Sequence, residues 1–139
     1  MLSIPLSDML RFVTRVFKTR AFVRMMRKSG VRDGDLCDAV SEMEEGLVDA
    51  DLGGGVLKKR VALPGQGKRG GARTIVATNR GDRWFFVFGF KKNDRSNING
   101  AELEALQKIA VDLLKQSSAS LDALVNQGEL QEICNEAEG

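Results

Sequence analysis

The 139-residue sequence contains no histidine and no tyrosine, and its only cysteines, Cys37 and Cys134, lie far apart. Zinc sites draw on cysteine and histidine clustered at short spacing, so the composition argues against a structural or catalytic zinc. No cofactor is signalled either. The missing histidine and tyrosine also remove two of the side chains that commonly serve as general acid or base. No run approaches the roughly 18 apolar residues of a membrane span. Met1 to Phe12 lacks the basic start, long apolar core and small-residue cleavage site of a signal peptide. These absences set the expectation of a cytoplasmic protein with two reduced thiols and no membrane contact.

Positive charge is what the chain does have, and it is unevenly placed. The net charge is only +2, yet residues 1–30 sum to +6, 31–55 to −7, 56–100 to +9 and 101–139 to −6. Two basic and two acidic blocks suggest an anionic partner on one surface and a basic partner on another.

The basic stretch Val56 to Ile98 holds eleven Lys/Arg against two acids and also the most apolar run, Trp84 to Phe90. Its pattern is that of strands. Leu57, Val61 and Leu63 share one face while Lys58 and Arg60 point the other way. Arg73 to Thr78 is apolar and β-branched, Asn79 to Asp82 has turn chemistry, and Arg83 to Phe90 follows at once, which predicts a hairpin. So apolar a strand belongs in the centre of a sheet, and its aromatics read as core before base-stacking platforms. Pro64 to Gly71 is expected to be irregular.

On either side the periodicity is helical. A short strand over Val13 to Phe17 precedes a basic amphipathic helix from Thr19, with Phe22, Met25 and Met26 on one stripe, stopping at Gly30. A second helix, capped by Asp33, carries Leu36, Ala39, Val40 and Met43, and the two are expected to form an αα-hairpin. Asn99 and Glu102 are spaced as a capping pair before Leu103, Leu106, Ile109, Ala110, Leu113 and Leu114. A shorter helix around Leu121 ends at Gly128, and Glu129 to Ile133 reads as an edge strand. The expected fold class is therefore α+β: a small antiparallel sheet of about 3–5 strands with an N-terminal αα-hairpin and C-terminal helices. Residues 1–12 read as an extension, and 13–139 as one domain.

Gly65-Gln66-Gly67-Lys68-Arg69-Gly70 matches G-x-G-x-x-G, but the match runs into a strand, not a helix, so it is no dinucleotide fingerprint. It is no P-loop either, because no Ser/Thr and helix follow the lysine. What remains is a glycine loop whose backbone can approach phosphate, with Lys68 and Arg69 adding charge. Lys58, Arg60, Arg73 and Lys92 are the candidate catalytic set. Cutting RNA without a metal requires a base for the neighbouring 2′-hydroxyl, charge on the phosphorane and an acid for the leaving oxygen. Lys58 and Lys92 are the proton-carrier candidates, and Arg60 and Arg73 the charge stabilisers. Lys59, Lys68, Arg69, Lys91 and Arg95 are the expected RNA-binding residues.

Residues 50–98, with the P-G-Q-G-K-x-G-G loop and the F-x-K-N-[DE]-R-x-N-I ending, resemble the RelE-type toxins of bacterial type II toxin-antitoxin systems. Within the RelE/ParE superfamily the loop and ending are similar to the HigB-like branch. The resemblance implies ribosome-dependent cleavage of mRNA, which inhibits translation, and a cognate antitoxin, in this branch frequently a helix-turn-helix protein. Other members of the fold inhibit DNA gyrase without cutting RNA. That activity, or a catalytically decayed nucleic-acid-binding module, is the alternative.

Overall fold

The structure, a computed structural model, describes residues 14–134. The extension expected over residues 1–12, Val13 of the first strand and the acidic end after Cys134 lie outside the described residues. Six strands and four helices follow in the order β1 (Arg15–Thr19), α1 (Arg20–Met25), α2 (Asp33–Glu44), β2 (Ala50–Gly53), β3 (Val56–Leu63), β4 (Gly67–Thr78), β5 (Arg83–Lys91), α3 (Gly100–Leu114), α4 (Ser118–Asn126) and β6 (Leu130–Ile133). They build one sheet in the order β2-β3-β4-β5-β1-β6. The class is α+β, but the sheet has six strands where about 3–5 were expected. It is also mixed, because β1 pairs parallel to β5 while every other neighbour is antiparallel.

The apolar run takes the interior place its composition demands. Trp84 and Phe86 point to one face and Phe85 and Val87 to the other, all buried. On the first face Phe22 and Met26 from α1 and Leu36, Ala39, Val40 and Met43 from α2 complete the core. On the second, Leu106 and Ala110 of α3 and Leu121 of α4 cover Phe17, Ile75 and Phe85. Gly89 marks where α1 crosses the sheet. A Cβ there would stand 2.8 Å from the Met26 sulfur and 2.9 Å from the Phe22 ring, so only glycine admits the helix this close.

The expected αα-hairpin does not form. α1 ends after six residues, and α1 and α2 each pack on the sheet, α1 on β5 and β1 and α2 on β3. Met25, placed on the apolar stripe by its spacing, is 43% exposed. The α2 start also differs in detail. Arg32 is the N-cap, and its backbone N–H donates to Asp35 Oδ2 at 3.0 Å, so Asp35 caps the turn and Asp33 is the first helical residue. The α3 start is as expected, with Glu102 N–H donating to Asn99 Oδ1 at 2.8 Å and Asn99 N–H to Glu102 Oε1 at 2.9 Å. β2 has no sequence signature. Gly53, Gly54 and Gly55 all have positive φ, and this turn folds the short strand back on β3.

Two further expectations are corrected. Regular structure resumes at Gly67, so only Pro64 to Gln66 forms the turn between β3 and β4. The ladder then jumps from Leu63–Gly67 to Val61–Ala72. A single β3 residue, Ala62, therefore faces the stretch Lys68 to Gly71, which loops out of register. And the cysteines are not free thiols: Cys37 of α2 and Cys134, just after β6, form a disulfide with Cα atoms 5.6 Å apart. A separation of 97 residues hides this pair from any spacing rule.

Candidate phosphate-binding site

Alternation on β3 puts Lys58 and Arg60 on the α3 side of the sheet, and the ladder pairs Arg60 with Arg73 on β4 and Arg73 with Phe90 on β5. α3 covers this face only in part. Beyond its first turn Lys58, Arg60 and Arg73, with Asp49, Ala50 and Ser96, line an open concavity of about 370 Å³.

Each cation is held by a different device. The Arg73 guanidinium donates to the carbonyls of Lys68 at 3.2 Å and Arg69 at 3.3 Å. Those carbonyls point inwards because the stretch is looped out of register. The looping requires Gly71, where a Cβ would meet Val61 O at 2.3 Å. Arg60 is clamped by Asp49, whose carboxylate accepts the Arg60 backbone N–H at 2.6 Å and Nε–H at 2.8 Å. Burial pushes the Asp49 carboxyl upwards, but the two Arg60 hydrogen bonds and the charge beside it outweigh burial and hold it below the usual carboxylate range. Lys58 Nζ donates to Asn97 Oδ1 at 3.3 Å. Guanidinium and ammonium groups so positioned suit an anion with several oxygens, such as a phosphodiester.

The remaining predicted residues fall elsewhere. Lys92 is exposed in the loop after β5, its backbone N–H donating to Gly71 O at 3.1 Å, and does not line the concavity. Lys59 faces the opposite side of the sheet. It is 4% exposed, pairs with Glu42 at 2.7 Å and donates to Leu47 O at 2.9 Å, so it braces α2 against β3. Lys68 reaches the same Glu42 at 2.7 Å, and Arg69 is exposed. Lys91 and Arg95 border a separate groove. Arg95 stacks over Phe88 and Phe90, 5.7 and 5.2 Å from the ring centroids, and donates to both Glu102 oxygens at 3.0 and 2.5 Å. That pairing keeps Glu102 below the usual carboxylate range. Asp49, Ser96 and Asn97 are not among the residues the sequence singles out. Asn97 does stand in the N-I end of the motif, whereas Asp49 has no comparable signal.

A comparison with curated proteins finds no match. A family model described as the RelE toxin of the RelE / RelB toxin-antitoxin system matches residues 14–133, and toxins of that family pair with an antitoxin. Covering nearly the whole chain and all six strands, the match shows that the protein belongs to the RelE toxin family.

Proposed function

We propose that the protein is an endoribonuclease toxin that cuts mRNA on the ribosome and so inhibits translation. The observation that carries this is the convergence of Lys58, Arg60 and Arg73 on one open concavity. In the reaction the 2′-hydroxyl attacks the adjacent phosphorus, its proton passing to a base, and the P–O5′ bond breaks as the leaving oxygen takes a proton. The products are a 2′,3′-cyclic phosphate and a 5′-hydroxyl. No metal enters this scheme. Arg60 and Arg73, already fixed by Asp49 and by the two carbonyls, meet the phosphorane charge with little reorganisation. Lys58 is the proton carrier within the concavity, and Lys92, on the neighbouring loop, is the second candidate.

Arg69, whose carbonyl holds Arg73, and Lys91, at the end of β5, hold no acid within ion-pair distance among the described residues and add positive charge near the site, which supports RNA as the ligand. The loop and ending motifs support placement in the HigB-like branch, with a helix-turn-helix antitoxin as partner and the cytoplasm as site of action.

The test is induced expression of the chain alone in a bacterial host, with primer extension on ribosome-bound mRNA. Discrete new 5′ ends within coding sequence are expected. Arg73→Ala should reduce them by about 10²–10³-fold, the usual loss on removing one charge-stabilising donor. Growth arrest with intact mRNA would refute cleavage and point to a non-cleaving target.

A further inference from the structure

Most lysines and arginines among the described residues hold an acid within ion-pair distance, and those that hold none are not scattered. Lys58 and Arg73 line the concavity, and Arg69 gives its carbonyl to Arg73. Lys91 and Lys92 end β5. Arg24, Arg27 and Lys28 close α1 and begin the turn after it. Between these last two groups lies a groove of about 400 Å³, with Met25, Lys28 and Ser29 on one wall and Phe88, Gly89, Phe90 and Lys91 on the other.

The groove has a backbone cause. β1 pairs with β5 only as far as Lys18–Phe86, because the chain turns into α1 at Thr19. From Val87 onwards β5 has a strand neighbour on the β4 side alone among the described residues. Phe90 is the ladder partner of Arg73, so the groove lies roughly two strand spacings, about 10 Å, from the β4 backbone at Arg73. Arg95, paired with Glu102 and stacked on Phe88 and Phe90, lines the groove, and the next residue, Ser96, lines the concavity. Met25 is exposed and Phe88 half-buried, which gives apolar surface against which an unstacked base can lie. Asp94 is the one acid in the lining, an acceptor for a base amino group.

We infer that this groove is a second RNA subsite, holding an unpaired nucleotide that flanks the phosphate in the concavity. Lys28 and Lys91 take its phosphate, and Met25 and Phe88 take its base. The inference rests on the RNA reading of the concavity and extends it to a neighbouring nucleotide.

The test uses the full chain and two uncleavable probes, a 2′-O-methyl nucleoside monophosphate and a single-stranded 2′-O-methyl dodecanucleotide, with affinity followed against salt. In Lys28→Gln/Lys91→Gln, the dodecanucleotide should bind about tenfold more weakly, with a log–log salt slope shallower by roughly 0.7 for the one phosphate no longer neutralised. The mononucleotide, too short to reach from the concavity into the groove, should be unaffected. Met25→Ala should weaken the dodecanucleotide without changing its slope. Unchanged dodecanucleotide affinity, an equal loss for the mononucleotide, equal preference for duplex RNA, or tighter displacement by an acidic extended peptide would each overturn the subsite. Arg73→Ala separates the two readings: if it alters neither probe while the groove variant still weakens the dodecanucleotide, the groove stands and the concavity reading falls.

Discussion

Opening the Cys37–Cys134 bridge should cost the protein a measurable share of its stability, and the size follows from where the bridge sits. It closes a loop with a sequence separation of 97 residues, from within α2 to just after β6. The chain-entropy treatment gives about 4.7 kcal/mol for a loop near 100 residues, while measured bridges usually deliver about 2–4 kcal/mol. Both cysteines also pack against the core beside α2 and β6, and a reduced pair keeps that packing. The expected loss on reduction is thus the cross-link contribution, about 3 kcal/mol, or a melting temperature lower by about 10 °C for a chain of this size. Thermal unfolding of purified protein with and without reductant measures it. Cys37→Ala/Cys134→Ala, which cannot be oxidised, should match the reduced protein to within the small loss from removing two sulfurs. Quantitative labelling of two free thiols in protein purified without reductant, or one melting temperature under both conditions, would refute the reasoning.

The loss should also be local. β6 has only four residues and a single strand neighbour, β1. Beyond that ladder, Leu130 and Ile133 pack into the two core clusters and Glu132 accepts from Arg15 at 2.9 and 2.7 Å. Reduction should speed amide exchange in β6 before it reaches β4 or β5. Because disulfides are rare in reducing compartments, the same measurement bears on where the toxin works. A cytoplasmic toxin has to hold its fold without those few kcal/mol.

Three other perturbations address the site and its supports. Gly71→Ala, with its Cβ driven to 2.3 Å from Val61 O and 2.8 Å from Gly67 O, should destabilise the fold by about 3 kcal/mol and release Arg73 from its carbonyls, read by denaturant titration and by RNA affinity. Asp49→Asn should tighten binding of an uncleavable RNA several-fold, because a carboxylate that competes with phosphate for Arg60 is gone; it should slow cleavage, because Arg60 loses its clamp. Hydrogen bonds from Lys59 and then Lys68 hold the Glu42 carboxyl below its usual value near 4.5. Its contribution to stability is therefore complete above that value and is lost as the pH falls below it, through the depressed folded value. A stability–pH curve should drop on this acid side, and Glu42→Gln should flatten it.

The sheet was legible because its cause is local and periodic. Alternation at Leu57, Val61 and Leu63 gave the orientation of β3, and the dense apolar run Trp84 to Phe90 gave the interior place of β5. Lys58, Arg60 and Arg73 followed from the same alternation plus one hairpin register. What stayed hidden depends on contacts made across the chain. The parallel pairing of β1 with β5 joins segments more than sixty residues apart. Ala50–Gly53 is a strand only because three glycines in the left-handed region turn it onto β3. The short α1 reflects the crossing at Gly89, not its own helical spacing. Asp49 lies just before β2, and an acid there has no period to betray it.

The charge blocks along the sequence take on a different meaning once the chain is folded. As a sequence, the acidic stretches 31–55 and 101–139 suggest surfaces for a basic partner. In the structure many of their acids are already taken by the chain's own cations: Asp33 by Lys18, Glu42 by Lys59 and Lys68, Asp49 by Arg60, Asp51 by Arg80 and Glu102 by Arg95. Most of these pairs are exposed and contribute little energy each. Their larger effect is on the field, since they cancel charge over much of the surface and leave positive charge where no acid stands. That residue of charge is the concavity, the end of β5 and the turn after α1. A protein with a net charge of only +2 thereby concentrates its unpaired positive charge at these three places. RNA binding there should weaken steeply with salt, while any antitoxin contact with the already paired acids should show little salt dependence.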